Sequence, residues 1–208
     1  MRERVVVLAA LALTGCGGLL ETTIPAPQAY LLRAASSATP AAATAVPGGL
    51  LVQRPEAGPG LDSDKIVLLR AGHRFDFYAA SRWAAPAPDL VESVIVESLR
   101  AGGAFAAVLD DSSPYAPRFN LRCGLQRFEA DYTQGESAPT VFVTLDCTLG
   151  RHRDRELLAS FRAEGRAVAE EDRLNAVVAA FDQAAAAAVA ELERAARAAV
   201  AGEAPAAH

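Results

Sequence analysis

The chain has 208 residues, a formal net charge of −5 at pH 7 and three cysteines. This length allows one domain with a buried core and leaves little room for a second. The negative charge and the absence of a basic run argue against nucleic-acid binding and against electrostatic adsorption on an anionic lipid surface.

Residues 1–16 have the pattern of a bacterial lipoprotein export signal. Arg2 and Arg4 precede an apolar run, 5–12, that is much shorter than the roughly 20 residues of a membrane-spanning helix. The sequence Leu-Thr-Gly-Cys at 13–16 matches the lipobox that precedes a lipid-modified cysteine. We therefore predict a signal peptide over 1–15 and covalent diacylglycerol and acyl groups on Cys16, with no other cofactor. An ordinary secretory signal with a chance cysteine, or a buried first strand, is the alternative.

The residue after Cys16 bears on localisation. Lipoproteins retained in the inner membrane typically carry aspartate there, where this chain has Gly17. We therefore expect a lipid anchor on the periplasmic face of the outer membrane. The sequence predicts a tether over 16–28, a single domain over 29–200 and a flexible tail over 201–208.

The first half of the domain alternates short apolar runs with turn-forming residues. The predicted strands are 29–34, 50–53, 66–70, 74–79 and 105–109. A hairpin turn is predicted at Ala71-Gly72, and residues 35–49, which are rich in Ala, Ser, Thr, Pro and Gly, are predicted to form a loop. Apolar residues at helical spacing predict a helix over about 89–101, ended by Gly102 and Gly103.

The clearest strand signal comes from two alternating segments, 119–126 and 141–149. A hairpin folded about Gly135 places Cys123 opposite Cys147, with the apolar residues of both strands on one face. A disulfide between them is compatible with an oxidising compartment; two buried thiols in the core are the alternative.

Two further elements complete the predicted fold. Residues 156–168 predict a strand that Gly165 weakens, and 172–199 predict an amphipathic helix with alanines on its inner face. The whole pattern predicts an α+β domain in two layers, in which two main helices, about 89–101 and 172–199, pack on a mostly antiparallel sheet.

The sequence contains no nucleophile elbow, phosphate loop, dinucleotide fingerprint or Cys-x-x-Cys pair. His73, His152 and His208 have no second ligand at metal-binding spacing. We therefore predict no catalytic residue, no metal site and no enzymatic activity. The single tryptophan, Trp83, follows Arg82. Trp and Arg are enriched in protein interfaces, so the pair is a possible partner interface. The alternative is that Trp83 caps one end of the core.

Several short motifs then occur in a characteristic order. They are Leu13 to Cys16, Tyr30-Leu31-Leu32, Leu61-Asp62-Ser63-Asp64-Lys65-Ile66-Val67, Tyr78, Ser81-Arg82-Trp83, Pro86, Phe161 and Gly165. Their order resembles the auxiliary lipoprotein family of ABC-type transport systems, of the paraquat-inducible protein C type, over roughly Tyr30 to Arg194. The resemblance implies a compact α+β domain with helices against a mostly antiparallel sheet.

The same resemblance implies partners. Members of that family accompany mammalian-cell-entry (MCE) proteins with their inner-membrane permease and ATPase, which implies movement of phospholipid or another hydrophobic cargo between the two membranes. A homo-oligomer is compatible with the sequence. The alternative functions are a lipoprotein assembly factor for an outer-membrane barrel or for lipopolysaccharide export, and a periplasmic hydrolase with a convergent Ser/His/Asp group.

Overall fold

A computed structural model describes residues 26–33, 45–133, 135 and 137–201. The predicted signal peptide, Cys16 and residues 202–208 of the predicted tail lie outside the described residues. The elements, in chain order, are β1 Gln28–Tyr30, β2 Val46–Val52, β3 Glu56–Ala57, β4 Val67–Arg70, β5 Arg74–Phe77, β6 Ser81–Trp83, α1 Ala87–Gly102, β7 Phe105–Leu109, β8 Phe119–Asp131, β9 Thr140–Arg151, β10 Leu157–Val168 and α2 Leu174–Val200. The predicted α+β class is confirmed.

The long strand β8 organises the main sheet. One side of β8 pairs with β9 along nearly its whole length, antiparallel, in the register predicted from the sequence. Its other side pairs in succession with β2, β3 and β4, and all three run parallel to β8. Further out, β10 joins β9 antiparallel, β7 joins β2 parallel, and β5 joins β4 antiparallel.

The prediction of a mostly antiparallel sheet is therefore only partly right, because the sheet is mixed. Its antiparallel part consists of consecutive strands joined by short turns, β8 to β10 and β4 to β5. Its parallel part consists of strands that are distant in the sequence, such as β2 and β7, between which the chain crosses over through α1. Parallel pairing requires such a crossover connection.

The prediction of a loop over 35–49 is wrong at its carboxyl end, where β2 begins at Val46. Pro47 cannot donate a ladder hydrogen bond, and strands tolerate proline at irregular positions. The register between β2 and β7 shifts between Val46 and Gly49, and Gly48 has a φ of 95°. Proline and glycine residues that indicate a loop in the sequence therefore form an irregular strand start.

Both helices pack on the same face of the sheet. Helix α1 contacts β2, β7 and α2, and α2 contacts β9 and β10. As predicted, α1 ends in a left-handed glycine, Gly103, with a φ of 61°. Helix α2 comes so close to β10 that a Cβ atom added to Gly165 would lie 2.7 Å from the backbone nitrogen of Ala188. The sequence analysis predicts that Gly165 weakens its strand. In the structure, Gly165 is the position at which β10 contacts α2.

Candidate functional site

Trp83 lies in the core of the domain. Its side chain is 0% exposed, and its ring meets that of Phe181 edge to face, with centroids 5.1 Å apart, and that of Phe128 at 5.6 Å. A fully buried ring offers no surface to a partner, so the interpretation of Trp83 as a partner contact is wrong for this side chain. The neighbouring Arg82 is 42% exposed, and its Nη1 lies 3.3 Å from Asp64 Oδ2, so an interface role for Arg82 stays a prediction.

Cys123 and Cys147 face each other across β8 and β9. Their Cα atoms are partners in the ladder, and their sulphur atoms are joined at 2.08 Å. The disulfide links two strands that already belong to one hairpin. It therefore crosslinks the central antiparallel pair of the sheet, and α2 packs on one of its two strands, β9.

Replacing both Cys123 and Cys147 with alanine should lower the free energy of unfolding by about 3 kcal/mol, within the usual range for a disulfide. The two cysteines are 24 residues apart, so the crosslink removes loop entropy from the unfolded chain. Urea unfolding of the double variant, compared with the wild type with and without a reducing agent, measures the loss. The reduced wild type should match the variant; equal stability of oxidised and reduced wild type would contradict the prediction.

The face of the sheet opposite the helices carries a groove, which we call the outer groove. Buried Val141, Val143 and Leu145 of β9 alternate with residues that point to this face. The groove has a volume of about 480 Å³, and its lining side chains are Gln126, Arg127, Phe142, Thr144, Arg162, Glu164 and Arg166.

Charged groups form the floor of the outer groove. The Arg127 guanidinium carbon lies 3.9 Å from the centroid of the half-buried Phe142 ring. Arg127 Nε donates to Glu129 Oε1 at 2.6 Å, and its Nη2 donates to Asp131 Oδ2 at 3.2 Å. Burial raises the pKa of Glu129 above its ordinary value, although the Arg127 charge opposes this effect. Arg127 therefore neutralises two buried carboxylates and holds Phe142 in place.

The rim of the groove is more accessible. Arg162 Nε donates to Asp146 Oδ1 at 2.6 Å, and this hydrogen bond lowers the pKa of Asp146 below its ordinary value. Arg166 is exposed and has no ion pair within the described residues. The outer groove thus offers an aromatic ring and an uncompensated guanidinium side by side, a combination that is common in protein interfaces.

Sequence reasoning did not identify this groove. Arg127, Arg162 and Arg166 occupy the polar positions of alternating strands, where charged residues ordinarily face solvent. One signal for the groove is present in the sequence. Phe142 is an aromatic residue on the face of β9 that points away from the core, and its neighbour on that face is Thr144. An aromatic residue at such a position marks a place to look for a surface contact, although strands in general favour aromatic residues.

The start of the domain is held firmly in place. Strand β1 pairs with β6, parallel, and Gln28 N donates to Ala80 O at 2.9 Å. Arg33 N then donates to Asp182 Oδ1 of α2 at 2.7 Å, and burial raises the pKa of Asp182 above its ordinary value. Any tether that precedes β1 therefore starts from a fixed point beside Ala80.

No group of three or more His, Cys, Asp or Glu side chains in the described part of the chain is placed to hold a metal ion. Within the same residues, no helix is long and apolar enough to cross a bilayer.

The family model for the ABC-type transport auxiliary lipoprotein component matches residues 30–193. The chain belongs to this family, and the resemblance inferred from its motifs is confirmed. No curated protein matches the chain at a significant level.

Two solved structures share the fold. Protein XCC0632 from Xanthomonas campestris, of the family DUF330, is 28% identical over 81% of this chain and 90% of its own, with a TM-score of 0.67. A second structure, of an uncharacterized protein, is 16% identical over 82% of this chain and 99% of its own, with a TM-score of 0.63. The two structures support the same arrangement of helices and sheet.

Proposed function

We propose that this protein is a periplasmic lipoprotein, anchored in the outer membrane through Cys16, and a non-enzymatic auxiliary component of an ABC transport system of the MCE type. The cargo would be phospholipid or another hydrophobic molecule that moves between the inner and outer membranes. The observation that carries the proposal is the family match across 30–193. The lipobox at 13–16 supports the anchor, and Gly17 supports the outer membrane.

The mechanism is positional. Several acyl chains on Cys16 hold the amino terminus in the bilayer, whereas one chain alone would bind only marginally. The hydrogen bond from Gln28 N to Ala80 O fixes the domain end of the tether. The domain is then held at the membrane surface and presents its outer groove to the MCE-domain partner.

The anchor is tested by the intact mass and the membrane location of the mature protein. The wild type should begin at Cys16, carry acyl groups and fractionate with the outer membrane. Cys16→Ala should abolish acylation. The matched control Gly17→Asp should keep the acyl groups but move the protein to the inner membrane. An unlipidated wild-type product would contradict the anchor.

The partner surface is tested by binding to a purified MCE-domain protein. Arg166→Glu and Phe142→Ser should each weaken binding about tenfold or more, because Arg and aromatic residues commonly dominate interface energies. The matched control is Arg153→Glu, on the turn between β9 and β10, where the arginine also has no ion pair within the described residues. Equal affinities for the three variants and the wild type would exclude the outer groove as the docking surface.

A further inference from the structure

Strand β5 exposes two aromatic side chains. Phe75 and Phe77 are 42% and 43% exposed, and their rings meet edge to face with centroids 5.6 Å apart. All four residues of β5 are exposed, and within the described residues the outer edge of β5 has no partner strand. Two adjacent exposed phenyl rings are unusual on a surface that meets only water, and they indicate a contact.

These rings lie close to the point where the chain enters the domain. Gln28 N donates to Ala80 O, and Ala80 follows Phe77 by three residues, which places the two within about 11 Å. Residues 17–28, which connect Cys16 to this point, span at most roughly 40 Å.

A lipid anchor on Cys16 would therefore keep the aromatic pair near the bilayer. At such a tether length the second contact is effectively intramolecular, with a local concentration on the order of millimolar. A dissociation constant of about a millimolar or below for the two rings on lipid then keeps the hairpin of β4 and β5 on the membrane for at least half of the time. The short tether, which ends beside this hairpin, is the reason to choose the bilayer as the occupant of this surface.

The chemistry of the hairpin suits a phospholipid interface. Aromatic side chains concentrate at the boundary between headgroups and acyl chains. Arg74 precedes Phe75 and points to the other face of β5 by strand alternation. It is exposed, has no ion pair within the described residues and stands at the turn end of the hairpin, so its long guanidinium side chain can reach a phosphate at the headgroup level. The other arginine of the hairpin, Arg70, is engaged over the Tyr132 ring and with Asp76.

We propose that Phe75 and Phe77 form a second membrane contact, inserting into the headgroup region of the bilayer that carries the lipid anchor, with Arg74 on a phosphate. The proposal rests on the anchor at Cys16 proposed above. The contact would limit the orientations of the domain at the membrane, so that the outer groove is presented in a defined direction rather than on a freely rotating tether.

The test places a tryptophan at the hairpin of the full-length acylated protein. Phe77→Trp is compared with Leu157→Trp, because Leu157 is 61% exposed. Leu157 begins β10 and lies level with the start of β8, whereas the hairpin of β4 and β5 lies at the end of β8. The two positions are therefore about 30 Å apart along the strand direction. Both variants are reconstituted in phosphatidylcholine vesicles with brominated acyl chains, which quench tryptophan on contact. Trp83 is buried and gives the same background in both. Phe75→Trp serves as a second probe if Phe77→Trp is poorly folded.

About half of the emission from position 77 should be lost, since interfacial side chains lie about 5–10 Å into the headgroup boundary, and position 157 should be unaffected. No quenching at 75 and 77 in protein that floats with the vesicles would overturn the second contact while leaving the anchor intact. Failure of wild-type acylated protein to float would refute the anchor itself. The tryptophan emission of Phe77→Trp could instead change only after an MCE-domain protein is added. That result would assign the free edge of β5 to a protein partner and would also overturn the proposal.

Discussion

Replacing Trp83 with alanine should lower the free energy of unfolding by about 4 kcal/mol, as large-to-small substitutions of core aromatic residues generally do. The indole ring is fully buried and closes a cluster with Phe128 of β8 and Phe181 of α2. Loss of the ring leaves a cavity between β8, α2 and the segment before α1. These three elements cannot all move in to fill it, so most of the cavity remains. Urea unfolding followed by circular dichroism measures the effect.

Two further variants show whether the Trp83 effect is due to packing. Trp83→Phe should cost clearly less than Trp83→Ala, because it keeps most of the aromatic contact and removes an indole Nε1–H that has no hydrogen-bond partner within the described residues. Tyr115→Ala, at a side chain that is 74% exposed, should change stability by at most about 0.5 kcal/mol. A Trp83→Ala protein that is as stable as Tyr115→Ala would refute the placement of Trp83 in the core.

Gly165→Ala should lower the free energy of unfolding by about 3 kcal/mol, through overpacking. The added Cβ would collide with Ala184 O and lie 2.7 Å from Ala188 N. Both atoms belong to the backbone of α2, so the helix as a whole must move away from β10. The sign of the effect is diagnostic, because alanine in place of glycine within an ordinary strand is favourable by roughly 0.5–1 kcal/mol.

The matched control for Gly165 is Gly72→Ala, in the turn between β4 and β5. A Cβ at Gly72 would meet nothing within 4 Å, and the φ of 76° makes the cost purely conformational, about 1 kcal/mol. Urea unfolding of both variants gives the comparison. A Gly165→Ala protein that is more stable than the wild type would show that α2 does not lie against β10 at this point.

Local patterns predicted the elements that pack on their immediate neighbours. The register of Cys123 with Cys147 followed from alternation alone, and the helix predicted over about 89–101 is Ala87–Gly102 in the structure. Strands β3 and β6 were missed because they have two and three residues, too few to show any periodicity. The parallel pairing of β2, β3 and β4 with β8 was missed because it depends on contacts between distant parts of the chain.

The candidate site was harder to predict than the fold. The close approach at Gly165 and the burial of Trp83 depend on where α2 lies, and no local pattern specifies that position. The outer groove is lined largely by polar and charged residues that ordinarily face solvent. Its chemistry appears only when β8, β9 and β10 bring Arg127, Phe142 and Arg166 together on one face. A sequence pattern therefore indicates which residues point away from the core, but not which of those residues come together on one surface.

Recovery of the native partners of the acylated wild-type protein from bacterial membranes tests the central claim most directly. The complex is extracted in mild detergent, captured through a carboxyl-terminal tag and identified by mass spectrometry, with Cys16→Ala as the control. The account predicts an MCE-domain protein together with its permease and ATPase, strongly reduced in the control. Capture of an outer-membrane barrel-assembly or lipopolysaccharide-export component instead, with no MCE-domain protein, would contradict it.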